Sequence, residues 1–180
     1  NLNNISIILK PSDYDDLSNL VSNLVRWLSR RDKTVIFLIK EKERFEKHIP
    51  SKIIKMIAFE DEKYVYKKSD LIISFGGDGT LLGVCRKVSS KVPVFGVNLG
   101  RLGFITEFSK SNFYEKLHII LTGKYKIHKQ HMLKVEVKDK QEVISKSHFI
   151  NDAVFSKNDI ARMLTLSVEA DHEHIYNLSG

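Results

Sequence analysis

The stretch Leu71-Ile72-Ile73-Ser74-Phe75-Gly76-Gly77-Asp78-Gly79-Thr80 decides how this chain is to be understood. Its first half is almost continuously apolar and rich in β-branched residues, the pattern of a strand buried on both faces. The strand runs directly into three glycines set around one carboxylate. Glycines there allow positive φ and let a ligand approach without meeting a Cβ. The freed N–H groups, with the N-terminus of a following helix, can hold phosphate oxygens. Gly76, Gly77, Gly79 and Thr80 are therefore the candidate phosphate-binding residues. Asp78 is the odd member, because a carboxylate in an anion loop repels phosphate. It makes sense as a proton acceptor from an attacking hydroxyl, or as a contact to Mg²⁺. The plainer alternative is a tight strand-to-helix turn with Asp78 as its N-cap. No Gly-Lys-Ser/Thr follows, so the loop is not a Walker P-loop, and it lacks the Gly-x-Gly-x-x-Gly spacing of dinucleotide folds.

Outward from this loop the chain alternates between strand and helix patterns. Residues 5–9 and 34–39 are short apolar runs of strand type. Between them Leu17, Leu20, Val21, Leu24 and Leu28 recur at helical spacing, with Asp13, Asp15 and Asp16 in the first turn and Arg26 and Arg30 in the last, as the helix dipole favours. Trp27 belongs to the packing face of this helix. Residues 41–48 are charged and helical in pattern; 53–59 fit either a strand or a short helix. A helix through Val88 and a strand over 92–97 follow the glycine loop, and residues 111–121 form a helix closed by Gly123. Such alternation predicts a parallel sheet covered by helices. After this the texture changes. Residues 132–137, 143–155 and 163–168 are strand-like, and 171–173 suit a hairpin turn, so this half is expected to be antiparallel β structure. The fold class is α/β: a Rossmann-like parallel-sheet domain over residues 1–125, then the beginning of a β-rich domain over 126–180.

Composition narrows the functional classes. The formal charge is +7, from 29 basic and 22 acidic residues, which suits either a nucleic-acid surface or attraction of a small polyanion such as ATP. The basic residues are dispersed, and the nearest patch, Arg30, Arg31 and Lys33, has no interleaved aromatics for base stacking. Nucleic acid is therefore not the expected partner. The single cysteine, Cys85, excludes an intrachain disulfide and a thiolate metal site, and is read as a small apolar residue rather than a nucleophile. His172 and His174 flank the hairpin turn without a carboxylate or cysteine at ligand spacing, so no metal site is expected there. No apolar run approaches the length of a membrane span and no signal-peptide pattern opens the chain, so a cytoplasmic location and no membrane partner are expected. The first residue is Asn1, not Met, so a processed or trimmed chain is expected.

At this point the motifs resemble those of a known family. Gly76 to Thr80 is the signature shared by NAD kinases, diacylglycerol and sphingosine kinases and, more loosely, phosphofructokinases. Asn98-Leu99-Gly100-Arg101-Leu102-Gly103-Phe104-Ile105-Thr106 resembles the Asn-x-Gly-x-Leu-Gly-Phe segment of NAD kinases, where lipid kinases carry Gly-Thr-Gly-Asn-Asp. Ile150-Asn151-Asp152 resembles the family's Asn-Glu motif, and Ala161-Arg162-Met163 the short segment after it. The resemblance implies transfer of the terminal phosphoryl group of ATP to the 2′-hydroxyl of the adenosine ribose of NAD, with Mg²⁺ as cofactor and a homo-oligomer, dimer or tetramer, as the assembly. It implies Asp78 as the catalytic general base, and Asp78, Gly79, Phe104, Asn151, Asp152 and Arg162 as NAD-binding residues. Arg101, between glycines, suits either phosphate contact or solvent.

Three departures from the family pattern stand out. Asp152 replaces the usual Glu and is one methylene shorter. His131 stands where an arginine is frequent. The chain stops at Ser179-Gly180, before the Asp-Gly pair and the Thr-Pro-Thr-Gly-Ser-Thr-Ala-Tyr segment that contacts NAD in the family. The resemblance thus implies a second domain present only in part. The rival readings are a lipid kinase of the same superfamily and a dinucleotide-binding fragment without turnover.

Overall fold

The computed structural model describes residues 2–11, 16–100, 103–156 and 163–179. They form two compact units, 1–131 and 132–180. In the first unit the elements run β1 (Asn4–Leu9), α1 (Leu17–Ser29), β2 (Thr34–Leu38), α2 (Lys42–His48), α3 (Ser51–Ile54), β3 (Ile57–Glu60), α4 (Glu62–Lys68), β4 (Leu71–Gly76), α5 (Asp78–Cys85), β5 (Val94–Asn98), β6 (Phe108–Ser109) and α6 (Phe113–Leu121). All six strands are parallel, in the order β3-β2-β1-β4-β5-β6. The chain starts at β1, builds one wing through β2 and β3, then returns to β4 beside β1 and builds the other. This is a doubly wound sheet, and its order reverses between β1 and β4.

Period-two side chains divide the sheet between two cores. On one face Ile5, Ile7, Leu9, Val35, Phe37, Ile73 and Phe75 pack with Leu20, Val21, Leu24 and Leu28 of α1, with Ile53 of α3, and with Phe113 and Leu117 of α6. On the other, Ile8, Ile36, Leu38 and Ile72 meet Val65 and Tyr66 of α4 and Val84 of α5. Both faces are covered, which is why these strands read as unbroken apolar runs. Ser6, fully buried inside β1, is tolerated because its hydroxyl bonds that of Ser69 at 2.6 Å, and Ser69 in turn donates to the Val65 carbonyl at 2.7 Å.

Several boundaries differ from expectation. Residues 53–59 are neither strand nor helix alone: α3 ends at Ile54 and β3 begins at Ile57. Helix α4 escaped the sequence reading, although Asp61 is a signal for it, its carboxylate accepting the Tyr64 amide at 2.7 Å. Helix α1 starts at Leu17; Asp13 and Asp15, expected in its first turn, lie outside the described residues. Helix α5 ends at Cys85 rather than Val88. Gly123, with φ of 79°, closes α6 in the left-handed region.

The second unit contains two antiparallel hairpins, β7 (Leu133–Asp139) with β8 (Glu142–Phe149), and β9 (Thr165–Ala170) with β10 (Glu173–Ser179). Asp171 and His172 both have positive φ, as a two-residue hairpin turn matched to strand twist demands. The hairpin turn expected at 171–173 joins β9 to β10, and β8 stops at Phe149, short of the expected Phe155. Among the described residues of this unit none is buried.

Candidate functional site

The glycine loop leaves the carboxyl end of β4, beside the reversal of strand order, where open α/β sheets bind ligands. Gly76 is the last residue of β4, and it pairs in register with Asn98, the last residue of β5. The Leu99 amide donates to the Gly76 carbonyl at 3.1 Å. The sheet itself thus brings together two motifs that are separate in sequence.

The glycines serve space rather than unusual backbone angles. The described glycines of this loop have no positive φ, and Gly77 sits in extended backbone at φ −102°, ψ −169°. A Cβ on Gly76 would lie 2.2 Å from Thr80 Oγ1, so the Thr80 side chain folds back over the strand end. Gly77 and Gly79 are exposed, and a Cβ on either would meet nothing within 4 Å. Their surface is open to an approaching group, and the amides at the start of α5 belong to the turn in which helix N–H groups lack an intrahelical acceptor. This geometry can accept phosphate oxygens.

Asp78 does not cap its helix. Gly77 holds the N-cap position and Asp78 is the first helical residue. Its half-buried carboxylate reaches instead across to the second motif. Oδ2 accepts the Phe104 amide at 2.8 Å; Oδ1 accepts the Ile105 amide at 3.3 Å, the Thr106 amide at 3.1 Å and the Thr106 hydroxyl at 2.9 Å. Three successive amides form a concave anion cradle. Burial pushes the Asp78 pKa upward, but the bonds from Phe104, Thr106 and Ile105 outweigh it and hold the carboxyl below its ordinary value. Asp78 is consequently ionised at neutral pH. Gly103 is required by the same contact, since a Cβ there would lie 2.1 Å from Asp78 Oδ1.

Asn98 completes the arrangement. Its Oδ1 accepts the Gly100 amide at 2.8 Å, and its Nδ2 donates to Thr106 Oγ1 at 2.8 Å. Asn98 and Thr106 are both buried. Neither was assigned a role from sequence. The signal was the family-like segment from Asn98 to Thr106, which marks the stretch but not the contacts its two ends make.

Other sequence candidates fall elsewhere. Phe104 is wholly exposed at its bend, although its amide binds Asp78. Asn151 and Asp152 belong to the second unit, where both are exposed and the Asn151 amide donates to Asp152 Oδ2 at 2.9 Å. Arg162 and Arg101 lie outside the described residues. Cys85 is half-buried and burial pushes its thiol pKa up, away from thiolate reactivity. No three His, Cys, Asp or Glu side chains cluster as a metal set among the described residues. A cavity of about 660 Å³ opens beside Trp27, lined by Arg26, Arg30, Arg31 and Tyr114. Packing explains it: the Trp27 and Tyr114 rings join α1 to α6 at 5.3 Å, and Arg31 lies 3.7 Å over the indole while donating to the Trp27 carbonyl.

Fold and site together define a doubly wound α/β domain whose glycine loop and neighbouring turn meet over one carboxylate at the carboxyl ends of adjacent strands. Residues 5–125 match the family profile described as ATP-NAD kinase N-terminal domain. The NAD kinase of Magnetococcus marinus is 32% identical over 176 residues, 97% of this chain and 56% of the relative. That of Syntrophobacter fumaroxidans is 41% identical over 113 residues, 62% of this chain and 40% of the relative. Yeast NADH kinase, solved in complex with NADH, superposes with a TM-score of 0.69 at 18% identity, over 98% of this chain and 55% of that one. An NAD kinase from Archaeoglobus fulgidus, solved with ATP, gives a TM-score of 0.56 at 17% identity over 98% and 57%. The chain belongs to the NAD kinase family. It spans about half the length of the relatives it matches.

Proposed function

We propose that the protein containing this chain transfers the terminal phosphoryl group of ATP to the 2′-hydroxyl of the adenosine ribose of NAD, giving NADP. The observation that carries this reading is the Asp78 carboxylate, ionised and held between the two family motifs at the carboxyl edge of the sheet. As the ribose oxygen bonds to phosphorus, its proton passes to Asp78, and the bond to the bridging oxygen breaks to release ADP. A positioned general base contributes about 10²–10⁴-fold, and alignment of the phosphates supplies much of the remainder. The exposed loop at Gly77 and Gly79 and the first-turn amides of α5 would receive the phosphates. Mg²⁺ would serve as the counter-ion of the triphosphate, offsetting its negative charge.

Gly79, Phe104, Asn151, Asp152 and Arg162 are proposed as dinucleotide contacts on sequence resemblance. A homo-oligomer and a cytoplasmic location go with the same reading; no helix among the described residues is long and apolar enough to cross a membrane. For the 180-residue chain by itself, binding without turnover is the second reading, favoured by a second unit that buries none of its described residues. The test is Asp78→Asn in the full-length protein. Turnover, followed as NADPH through a coupled dehydrogenase, should fall about 10²–10⁴-fold while NAD affinity stays within a few-fold. Near-normal turnover would remove Asp78 from the chemistry. Turnover of diacylglycerol in place of NAD would overturn the substrate.

A further inference from the structure

The two oxygens of Asp78 are not equivalent. Among the described residues, Oδ1 accepts three donors and Oδ2 one. A carboxylate oxygen has about two good lone-pair sites, so Oδ1 is saturated while Oδ2 retains room for one more proton.

The direction of the Thr106 hydroxyl follows from a donor whose role is beyond doubt. The Gly100 backbone N–H can only donate, and it points at the Asn98 side chain at 2.8 Å. The acceptor there is therefore the amide oxygen, which leaves the amide NH₂ facing Thr106 Oγ1 at 2.8 Å. That NH₂ also can only donate. With one lone pair of Oγ1 taken, the hydroxyl hydrogen goes to Asp78 Oδ1 at 2.9 Å. Asn98 is 4% and Thr106 2% exposed, so water has little access with which to reverse the chain.

We propose that Thr106, oriented by Asn98, is a positioning residue that occupies Oδ1 of Asp78 and leaves Oδ2 as the atom that takes the ribose proton. The inference rests on the phosphotransferase reading above. Thr106 contacts no substrate in this scheme. Its hydroxyl fixes the carboxylate plane, so its loss should act on the chemical step rather than on binding. The groups acting on Asp78 among the described residues are all uncharged, namely the Phe104 and Ile105 amides and the Thr106 amide and hydroxyl.

The experiment compares Thr106→Val, which keeps the shape and loses the donor, with Thr106→Ser, which keeps the donor, in the full-length protein. Thr106→Val should lower kcat about tenfold with KM for NAD within about twofold, and Thr106→Ser should restore most of kcat. Losing a donor to the carboxylate raises the Asp78 pKa. The base must be unprotonated, so the acid limb of the kcat profile should move to higher pH in Thr106→Val. Titration of the Asp78 carboxyl carbon by NMR should show the same rise in Thr106→Val and not in Thr106→Ser, independently of turnover. An unshifted carboxyl titration, a Thr106→Val kcat equal to wild type, or equal impairment by both variants would each overturn the assignment. The two levels fail separately. A full-length wild type that makes no NADP defeats the proposed function and this role with it. One that makes NADP while ignoring Thr106→Val defeats the role alone.

Discussion

Every buried hydrophobic side chain among the described residues lies between Ile5 and Leu117; beyond residue 131 no described residue is buried at all. Both units are well supplied with backbone hydrogen bonds. In the first, strands are covered on both faces by helices, so apolar side chains leave water on both sides of the sheet whose edge carries Asp78. In the second, two hairpins complete their ladders while Leu133, Val137, Ile144, Ile175 and Leu178 remain more than half exposed. A two-stranded hairpin by itself is marginal in water. The contrast teaches that strand pairing supplies register and direction, whereas burial supplies the stability that can hold a functional group in place.

The sharpest way to break this contrast is to cut side chains on either side of it. Phe37→Ala removes a fully buried ring packed edge-on against Phe45 at 4.7 Å, and should cost about 3–5 kcal/mol in urea-induced unfolding. Next comes Gly103→Ala, whose new Cβ collides with the Asp78 carboxylate. Overpacking of this kind costs about 1–3 kcal/mol, visible as a lowered midpoint, and the displaced carboxylate should also reduce turnover. A smaller effect is the pH dependence of the Asp78 contact. The folded pKa is depressed, so this group's stabilisation is present above its unfolded value and lost as pH falls through the folded one. The stability difference between wild type and Asp78→Asn should therefore shrink below about pH 4. At the bottom of the range, Ile175→Ala on exposed β10 should stay within about 0.5 kcal/mol of wild type. A cost approaching that of Phe37→Ala would mean the hairpin face is covered in solution, and the contrast would dissolve.

Much of the first unit was legible because continuous apolar runs have few alternatives. The runs at 5–9, 34–39 and 71–75 became β1, β2 and β4 nearly as expected, and the spacing of Leu17, Leu20, Val21, Leu24 and Leu28 gave α1. Residues 53–59 resisted because a four-residue helix and a four-residue strand are each too short for periodicity to show. The glycine content of residues 76–80 pointed to a phosphate site, and the structure gives two of the chain's glycines a further purpose. Positive φ is not what Gly76 or Gly103 provides; each leaves room for a neighbouring side chain, Thr80 in one case and Asp78 in the other.

By itself the order of residues determined which segments become strands, where the glycine loop lies, and that one carboxylate stands inside it, because periodicity and glycine content are local properties. Only the tertiary structure decided the strand order, and with it what Asp78 touches. Among the described residues its partners are three backbone amides and a hydroxyl more than twenty-five residues away. Backbone donors carry no residue signature, and they acquire a direction only when β4 and β5 lie side by side and their ends turn toward the same edge of the sheet.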